Sequence, residues 1–295
     1  VCRTGILSPR QKGRLRMPFG DIMAIVLSTR ADEPVLATAE ALSDAHDVHV
    51  SATLVSVAPH SAYGFDTVGV AVAAGAWSEP PAAVYRDADD EHVKLIRRLE
   101  RFSRPVRVER VEYGEGAGTE LAGVQSRRTG LTILLRPRGA PDAPLRTAMF
   151  ERVLFESGRP VLLVPPGWRQ KTLGRTILVA WNGSREATRA LADAQPLLAA
   201  AENVFLVTIQ GEIRGGLAIA DIAAYLRRLG LRCQQRTVPR SERATIAALL
   251  EECDAVGADL MVMGGYGHSR LQEKLFGGVT QSLVATSPTP LLISR

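Results

Sequence analysis

The sequence predicts an α/β fold made of two tandem, doubly wound domains, each built on a five-stranded parallel sheet. Strand-like apolar runs alternate with helix-like stretches along most of the 295 residues. The second half repeats the scheme of the first, and the closing runs SGRPVLLV (157–164) and TSPTPLLI (286–293) align directly. Alternation of this kind requires right-handed crossovers and parallel strands, so a ligand is expected at the carboxyl ends, where the strand order reverses.

The first half is predicted to alternate five strands with four helices. Residues 59–82 interrupt this rhythm with several prolines and glycines, so they are predicted to form a loop or an insertion. The predicted strands are Asp21–Ser28, Val48–Val57, Val106–Tyr113, Leu131–Leu135 and Val161–Val164, and the predicted helices are Glu33–Ala45, 83–102, 119–128 and 145–157.

The second half is predicted to repeat this order. Its first helix carries an apolar stripe from Ala187 to Leu198, which Pro196 should kink or divide. Ser241 is the predicted cap of a later helix. The predicted strands are Thr176–Trp181, Asn203–Ile209, Leu231–Val238, Leu260–Met263 and Leu291–Ile293, and two further predicted helices are Leu217–Leu229 and Val279–Thr286.

A glycine pattern follows the fourth strand of the second half. Gly264, Gly267, Gly277 and Gly278 form G-x2-G-x9-G-G, ahead of the predicted helix that begins at Val279. Glycines let backbone N–H groups approach a ligand closely, and a helix N-terminus adds partial positive charge, so this pattern favours a phosphate site. Neither a P-loop nor a dinucleotide-binding fingerprint is present at this position.

This glycine pattern resembles the nucleotide loop of the universal stress protein family, whose ATP-binding members have G-x2-G-x9-G followed by Ser or Thr. Gly278 stands where that hydroxyl is expected, and Thr280 lies two residues later. The resemblance implies the strand order 3-2-1-4-5 in each half. It also implies an intrachain pseudo-dimer in which Val161–Val164 and Leu291–Ile293 pair antiparallel, and it leaves homodimerisation of the whole chain open.

The resemblance also implies which residues of the second half surround ATP or another adenine nucleotide. Asn182 stands where the family has an Asp that faces the adenosine part, although a helix N-cap is an alternative role for it. His268 lies within the glycine loop, where it can contact phosphate or face solvent. The full set of candidate binding residues is Ala180, Asn182, Val207, Gly264, Gly267, His268, Gly277, Gly278 and Thr280.

The corresponding segment of the first half reads RPRGAPDAPLR (136–146) and is expected not to bind phosphate. Its prolines have no N–H to donate, so the first half is interpreted as degenerate. Arg136, Arg138 and Arg146 can hold an anion, but a solvated loop is the favoured interpretation.

Charge and composition limit the remaining classes of function. The formal charge is +5, but residues 1–20 carry five basic and no acidic residues, so the rest balances 31 of each. This balance does not favour nucleic-acid binding, and the absence of a long apolar run argues against a membrane span. The expected organisation is a basic extension (1–20), a degenerate domain (21–166), a linker (167–175) and a nucleotide-type domain (176–295).

The motifs of common enzyme classes are missing from the sequence. There is no G-x-S-x-G, H-E-x-x-H or C-x-x-C, and no carboxylate is evident that would position magnesium. The three widely separated cysteines favour reduced thiols and a cytoplasmic location. The sequence therefore predicts a cytoplasmic stress-response protein that regulates rather than catalyses and has no metal site. The alternative is an interaction scaffold that binds no nucleotide and whose pocket is vestigial.

Overall fold

The first half forms five strands and four helices within the residues that the structure describes. This computed structural model describes residues 19–57, 82–113, 117–170, 172–213, 218–239, 245–266 and 278–295. The strands are β1 (Asp21–Val26), β2 (His49–Val57), β3 (Arg107–Tyr113), β4 (Leu131–Leu135) and β5 (Val161–Val164), and the helices are α1 (Glu33–His46), α2 (Ala82–Leu99), α3 (Ala117–Ser126) and α4 (Ala143–Glu156).

The second half repeats the order of strands and helices. Its strands are β6 (Thr176–Ala180), β7 (Asn203–Ile209), β8 (Gln234–Val238), β9 (Leu260–Gly264) and β10 (Leu291–Ser294). The helices within its described residues are α5 (Arg185–Asp193), α6 (Gln195–Ala200), α7 (Ile219–Arg228), α8 (Thr245–Ala255) and α9 (Val279–Thr286).

The boundaries of several elements differ from the predicted ones for local reasons. β1 ends before Leu27, because the backbone N–H groups of Leu27 and Ser28 donate to the Asp32 carboxylate. β8 begins three residues after Leu231, whose N–H instead bonds the Leu226 carbonyl and closes α7. The predicted division at Pro196 is confirmed. The predicted cap Ser241 and all but the last residue of the predicted insertion 59–82 lie outside the described residues.

The ten strands form one sheet in the order β3-β2-β1-β4-β5-β10-β9-β6-β7-β8. Each half therefore has the predicted order 3-2-1-4-5, with parallel neighbours throughout. β5 and β10 pair antiparallel, with Leu291 opposite Leu163, which confirms the predicted pseudo-dimer. This pairing buries two apolar edge strands that would otherwise be open to association.

Helices cover both faces of the sheet and create two apolar layers. One layer packs α1, α2, α5, α6 and α7 against the sheet, and the other packs α3, α4, α8 and α9. Successive strand residues alternate between the layers: Val262 belongs to the first, and Met261 and Met263 belong to the second. Among the described residues, no helix combines the length and the apolar character that crossing a membrane requires.

Candidate functional site

The strand order of the second half reverses between β6 and β9. These strands are parallel neighbours, and the helices that follow them lie on opposite faces, with α5 in one layer and α9 in the other. The crevice at the carboxyl ends of the two strands is therefore the position where this type of fold binds ligands. Ala180 lies at the end of β6 and pairs with Val207 of β7 and Met263 of β9.

The structure thus brings together several of the predicted binding residues. Ala180, Asn182, Val207 and Gly264 lie at or just beyond the carboxyl ends of adjacent strands, and Gly278 precedes α9. Gly267, His268 and Gly277 lie outside the described residues.

The turn that leads into α5 is closed by its own side chains. The Ser184 hydroxyl accepts a hydrogen bond from the Ala187 N–H (3.1 Å), so Ser184 is the N-cap of this helix. The Asn182 amide oxygen accepts from the Ser184 N–H (3.1 Å), and Gly183 adopts a positive φ of 74°. The N-cap role considered for Asn182 therefore belongs to Ser184, and Asn182 shapes the turn before it.

Glu186 is a carboxylate in this crevice that sequence analysis missed. It is buried in the first turn of α5, where its carboxylate bonds the Arg185 guanidinium (3.1 Å). Burial acts to raise the pKa of this carboxyl, but hydrogen bonds from its own backbone N–H, from Arg185 and from Ser184 lower the pKa below its usual value. The sequence signal was an acid two residues after a Ser cap, which is typical of a helix N-terminus.

Gly264 and Gly265 permit close packing at the end of β9. A Cβ on Gly264 would lie 2.3 Å from the Ala187 nitrogen, and one on Gly265 would lie 2.6 Å from a methyl carbon of Ile293. Both distances are too short for a real side chain. The first glycine of the predicted phosphate pattern therefore has a structural role, which is to let the first turn of α5 contact the strand end.

Tyr266 begins the glycine loop in a left-handed conformation, with φ 54°. Its N–H donates to the hydroxyl of Thr280 (3.4 Å), which is 8% exposed. Its ring lies 6.4 Å from the Phe150 ring and 5.2 Å from the Phe155 ring, and both rings belong to α4 of the first half. Thr280 therefore holds the backbone of Tyr266, and the Tyr266 ring contacts the other half of the chain.

The N-terminus of α9 contrasts with that of α5. Gly278 is its N-cap residue and supplies no side-chain hydrogen bond, and the first turn of α9 contains no acidic residue. The first N–H groups of a helix have no partner within the helix. This terminus therefore offers backbone donors and partial positive charge at the carboxyl end of the sheet, as an anion site requires.

Two buried polar atoms near the end of β7 lack partners. The Trp181 indole nitrogen and the Thr208 hydroxyl are each on residues only 2% exposed, and neither has a hydrogen-bond partner within the described part of the chain. Trp181 donates its backbone N–H to the Val207 carbonyl (2.7 Å), so it is adjacent to Thr208 across the two strands. Buried polar groups without partners are uncommon, so these two atoms are distinctive features of this part of the structure.

Comparison with known proteins identifies the second half. Residues 174–295 match the family model described as the universal stress protein family. The second half of the chain is a universal stress protein domain. A search of curated proteins finds no match.

Two solved structures show that this fold extends over both halves. A universal stress protein from Archaeoglobus fulgidus DSM 4304 is 15% identical, with a TM-score of 0.70 over 93% of this chain and 96% of that chain. A functionally unknown protein from Pseudomonas aeruginosa PAO1 is 14% identical, with a TM-score of 0.56 over 95% of this chain and 93% of that chain. At these identities the likeness to the two solved structures concerns the fold alone. The family matched by residues 174–295 indicates a stress-response protein.

The first half closes its equivalent crevice with an internal ion pair. Arg146, in the first turn of α4, donates to both carboxylate oxygens of Asp32 (2.6 and 3.0 Å) and to the Pro141 carbonyl (2.8 Å). Arg146 is 3% exposed and Asp32 is 0% exposed. The favoured interpretation of Arg146 as part of a solvated loop is therefore wrong, because its guanidinium is buried against the loop after β1.

Arg136 also departs from the solvated-loop interpretation. It is partly buried, and its guanidinium donates to the Ala285 carbonyl in the last turn of α9, across the boundary between the halves. Burial and the neighbouring Arg138 lower the pKa of this guanidinium. Arg138 itself is exposed, as expected for a loop residue. Arg136 follows β4 and Tyr266 follows β9, the equivalent strands of the two halves, and each of these residues contacts the opposite half of the molecule.

Two cavities within the described residues lie away from the crevice between β6 and β9. One of about 400 Å³ is lined by Asp21, His49 and Arg107, which lie at the amino ends of β1, β2 and β3. The other, of about 270 Å³, lies between the last turn of α1 and residues 172–175. Among the described residues, no group of three or more His, Cys, Asp or Glu is arranged to hold a metal ion.

Proposed function

We propose that the second half binds ATP or another adenine nucleotide at the carboxyl ends of β6 and β9, and that binding serves regulation rather than catalysis. The observation that supports this proposal is that the two helix N-termini at the crevice differ in side-chain capping and in charge. α5 is capped by Ser184 and carries the Glu186 charge, whereas α9 has neither a side-chain cap nor an acid in its first turn.

This inequality assigns an orientation to the nucleotide. A phosphate at α5 would meet the buried Glu186 carboxylate, and like charges in a partly buried site repel strongly. A phosphate at α9 would meet N–H groups that have no partner within the helix and no side-chain cap from Gly278. We therefore orient the phosphates toward Gly278 and α9, with the adenosine part toward β6 and β7.

The adenosine part would then lie near groups that can recognise it. Ala180 and Val207 would supply apolar surface. The Trp181 indole and the Thr208 hydroxyl, which have no partner among the described residues, would supply polar groups. Because the Asn182 oxygen already accepts from Ser184, its amide NH2 is the group that can donate to ribose. Gly267, His268 and Gly277 remain part of the proposed site on the sequence pattern alone.

A second candidate function is an interaction scaffold that binds no nucleotide. Two observations favour it: Gly264 is explained by packing against α5, and the Thr280 hydroxyl is engaged by the Tyr266 N–H. Neither residue then requires a phosphate to account for it.

Calorimetric titration of the full chain with ATP separates these functions. We expect saturable binding of one nucleotide per chain, because the first half fills its own crevice with the Asp32 and Arg146 pair. Mass spectrometry of small molecules released from the purified protein would identify the natural nucleotide. Absence of binding up to millimolar ATP, with no adenine nucleotide released, would favour the scaffold.

A further inference from the structure

β8 is the outer strand of the second half and is unusually exposed. Its residues Gln234–Thr237 are exposed on both faces of the sheet, and Val238 is partly buried. Its inner edge pairs with β7, and its outer edge has no strand partner among the residues that the structure describes. This outer edge therefore presents a row of backbone N–H and C=O groups that can accept another strand.

Three exposed arginines come shortly before β8 in the chain, and none has an ion-pair partner among the described residues. Arg227 and Arg228 are in the last turn of α7, and Arg232 is in the short connection to β8. Arg236 on β8 differs, because it pairs with Glu252 (2.8 Å) and stacks over the Phe205 ring (5.0 Å).

The outer strand of the first half offers an internal comparison. On β3, Arg107 pairs with Glu109 (2.9 Å) and Arg110 pairs with Asp89, so acids of the same domain neutralise its arginines. The side chains of 108–110 on β3 are also partly buried. The two outer edges of the sheet therefore differ in charge and in exposure, although they hold equivalent positions in the fold.

We propose that the outer edge of β8 binds an extended acidic segment of a partner protein, which adds to the sheet as an eleventh strand. The backbone row of β8 would supply main-chain hydrogen bonds, and Arg227, Arg228 and Arg232 would bind the carboxylates of the segment. Like charges disfavour a second copy of the same edge. The backbone groups along the edge of β8 can form main-chain hydrogen bonds with a peptide strand. A nucleic acid would interact with the arginines but not with this row of backbone groups.

The test titrates the full chain into a fluorescein-labelled decapeptide of alternating valine and glutamate. Fluorescence anisotropy at low salt measures the binding. A second decapeptide has the same sequence with alternate backbone nitrogens methylated, so it keeps the charge but cannot pair as a strand. We expect the first peptide to bind and the methylated one to bind at least about tenfold more weakly. Equal binding of both peptides would overturn strand addition.

The charge contribution is tested by matched triple variants. Arg227→Gln, Arg228→Gln and Arg232→Gln together should weaken peptide binding about tenfold, since each exposed pair contributes modestly. The control changes Arg30, Arg97 and Arg101 to Gln, which removes the same charge from exposed sites in the first half. Equal weakening by both variants would show that only net charge matters and would overturn the proposal.

The location and the class of partner are tested directly. Hydrogen exchange of the full chain with the first peptide should show new protection at Gln234–Val238 and none at Arg107–Tyr113. Protection at the β3 edge instead would overturn the assignment. Failure of the peptide to bind, with tight binding of a thymidine oligonucleotide of equal charge, would overturn it in favour of nucleic acid.

Discussion

Replacing Val279 by proline removes one backbone donor from the proposed phosphate site while preserving the helix. Val279 is the first residue of α9, where a proline is well tolerated because the missing N–H has no partner within the helix. Gly278 has φ −60° and ψ 156°, which is the extended conformation that a residue before proline prefers. Val279 is also 37% exposed, so little apolar packing is lost.

The expected loss follows from the kind of hydrogen bond removed. A hydrogen bond to a charged group contributes about 1.5 to 3 kcal/mol, so the affinity for ATP should fall about 10- to 150-fold. The free energy of unfolding should change by less than about 1 kcal/mol, because no intrahelical bond is lost. Calorimetry with ATP measures the first quantity and urea denaturation measures the second.

The matched control places the same substitution at the other helix of the crevice. Arg185 is the first residue of α5, it follows an extended Ser184 (φ −78°, ψ 163°), and its side chain is 92% exposed. Arg185→Pro should leave the affinity for ATP unchanged, since the proposal places the phosphates at α9 and not at α5. If Arg185→Pro weakens ATP binding as much as Val279→Pro, or if Val279→Pro has no effect, the assignment of the phosphates to α9 is refuted.

Further predictions concern the packing, the ion pair, the crevice carboxylate and the basic extension. Gly264→Ala should lower the free energy of unfolding by about 1 to 3 kcal/mol in urea, because its Cβ would overlap the α5 backbone. Arg146→Met should lower it by about 3 to 5 kcal/mol, because Asp32 would be left buried without its cation. Folding lowers the pKa of Glu186, so the ionised carboxylate stabilises the folded state. This stabilisation is complete above the ordinary pKa of 4.5 and is lost as the pH falls through the lower pKa of the folded state. The melting temperature of Glu186→Gln, measured by calorimetry, should therefore depend less on pH below about 4.5 than that of the wild type. Deletion of residues 1–16 should leave the melting temperature unchanged and lower the pI from 9.4, as isoelectric focusing would show.

Simple controls and contrary outcomes accompany these four tests. Arg138→Met changes an exposed arginine of the same loop and should have little effect on unfolding. An equally stable Gly264→Ala or Arg146→Met variant would contradict the close packing or the buried pair. The Glu186 prediction would be contradicted if Glu186→Gln were as sensitive to acid as the wild type. The prediction for residues 1–16 would be contradicted if their deletion lowered the melting temperature strongly.

The local pattern of the sequence was sufficient to predict the order of strands and helices. Apolar runs such as Leu131–Leu135 and periodic stripes such as that of α5 are set by neighbouring residues, so they can be recognised without the fold. The contact of β5 and β10 was also predictable, because each is a short apolar strand that closes its half, and the family resemblance implied its antiparallel direction. The strand order itself came from the family resemblance.

The roles of individual site residues depended on contacts between distant segments. Asp32 and Arg146 are 114 positions apart, and nothing near either one indicates that folding brings them together in the crevice of the first half. Similarly, Gly264 belongs to a phosphate-type pattern in the sequence, but its close contact with α5 arises only when β6 and β9 become neighbours.

The sequence by itself therefore determined the two-domain α/β architecture and the edge of the sheet at which to search for a ligand. Only the tertiary structure showed, within the described residues, how the two helix N-termini there differ. Ser184 and Glu186 satisfy α5, and α9 has no equivalent groups. The physical reason is that secondary structure follows from short-range periodicity, whereas the satisfaction of buried charges and hydrogen bonds depends on which distant groups meet.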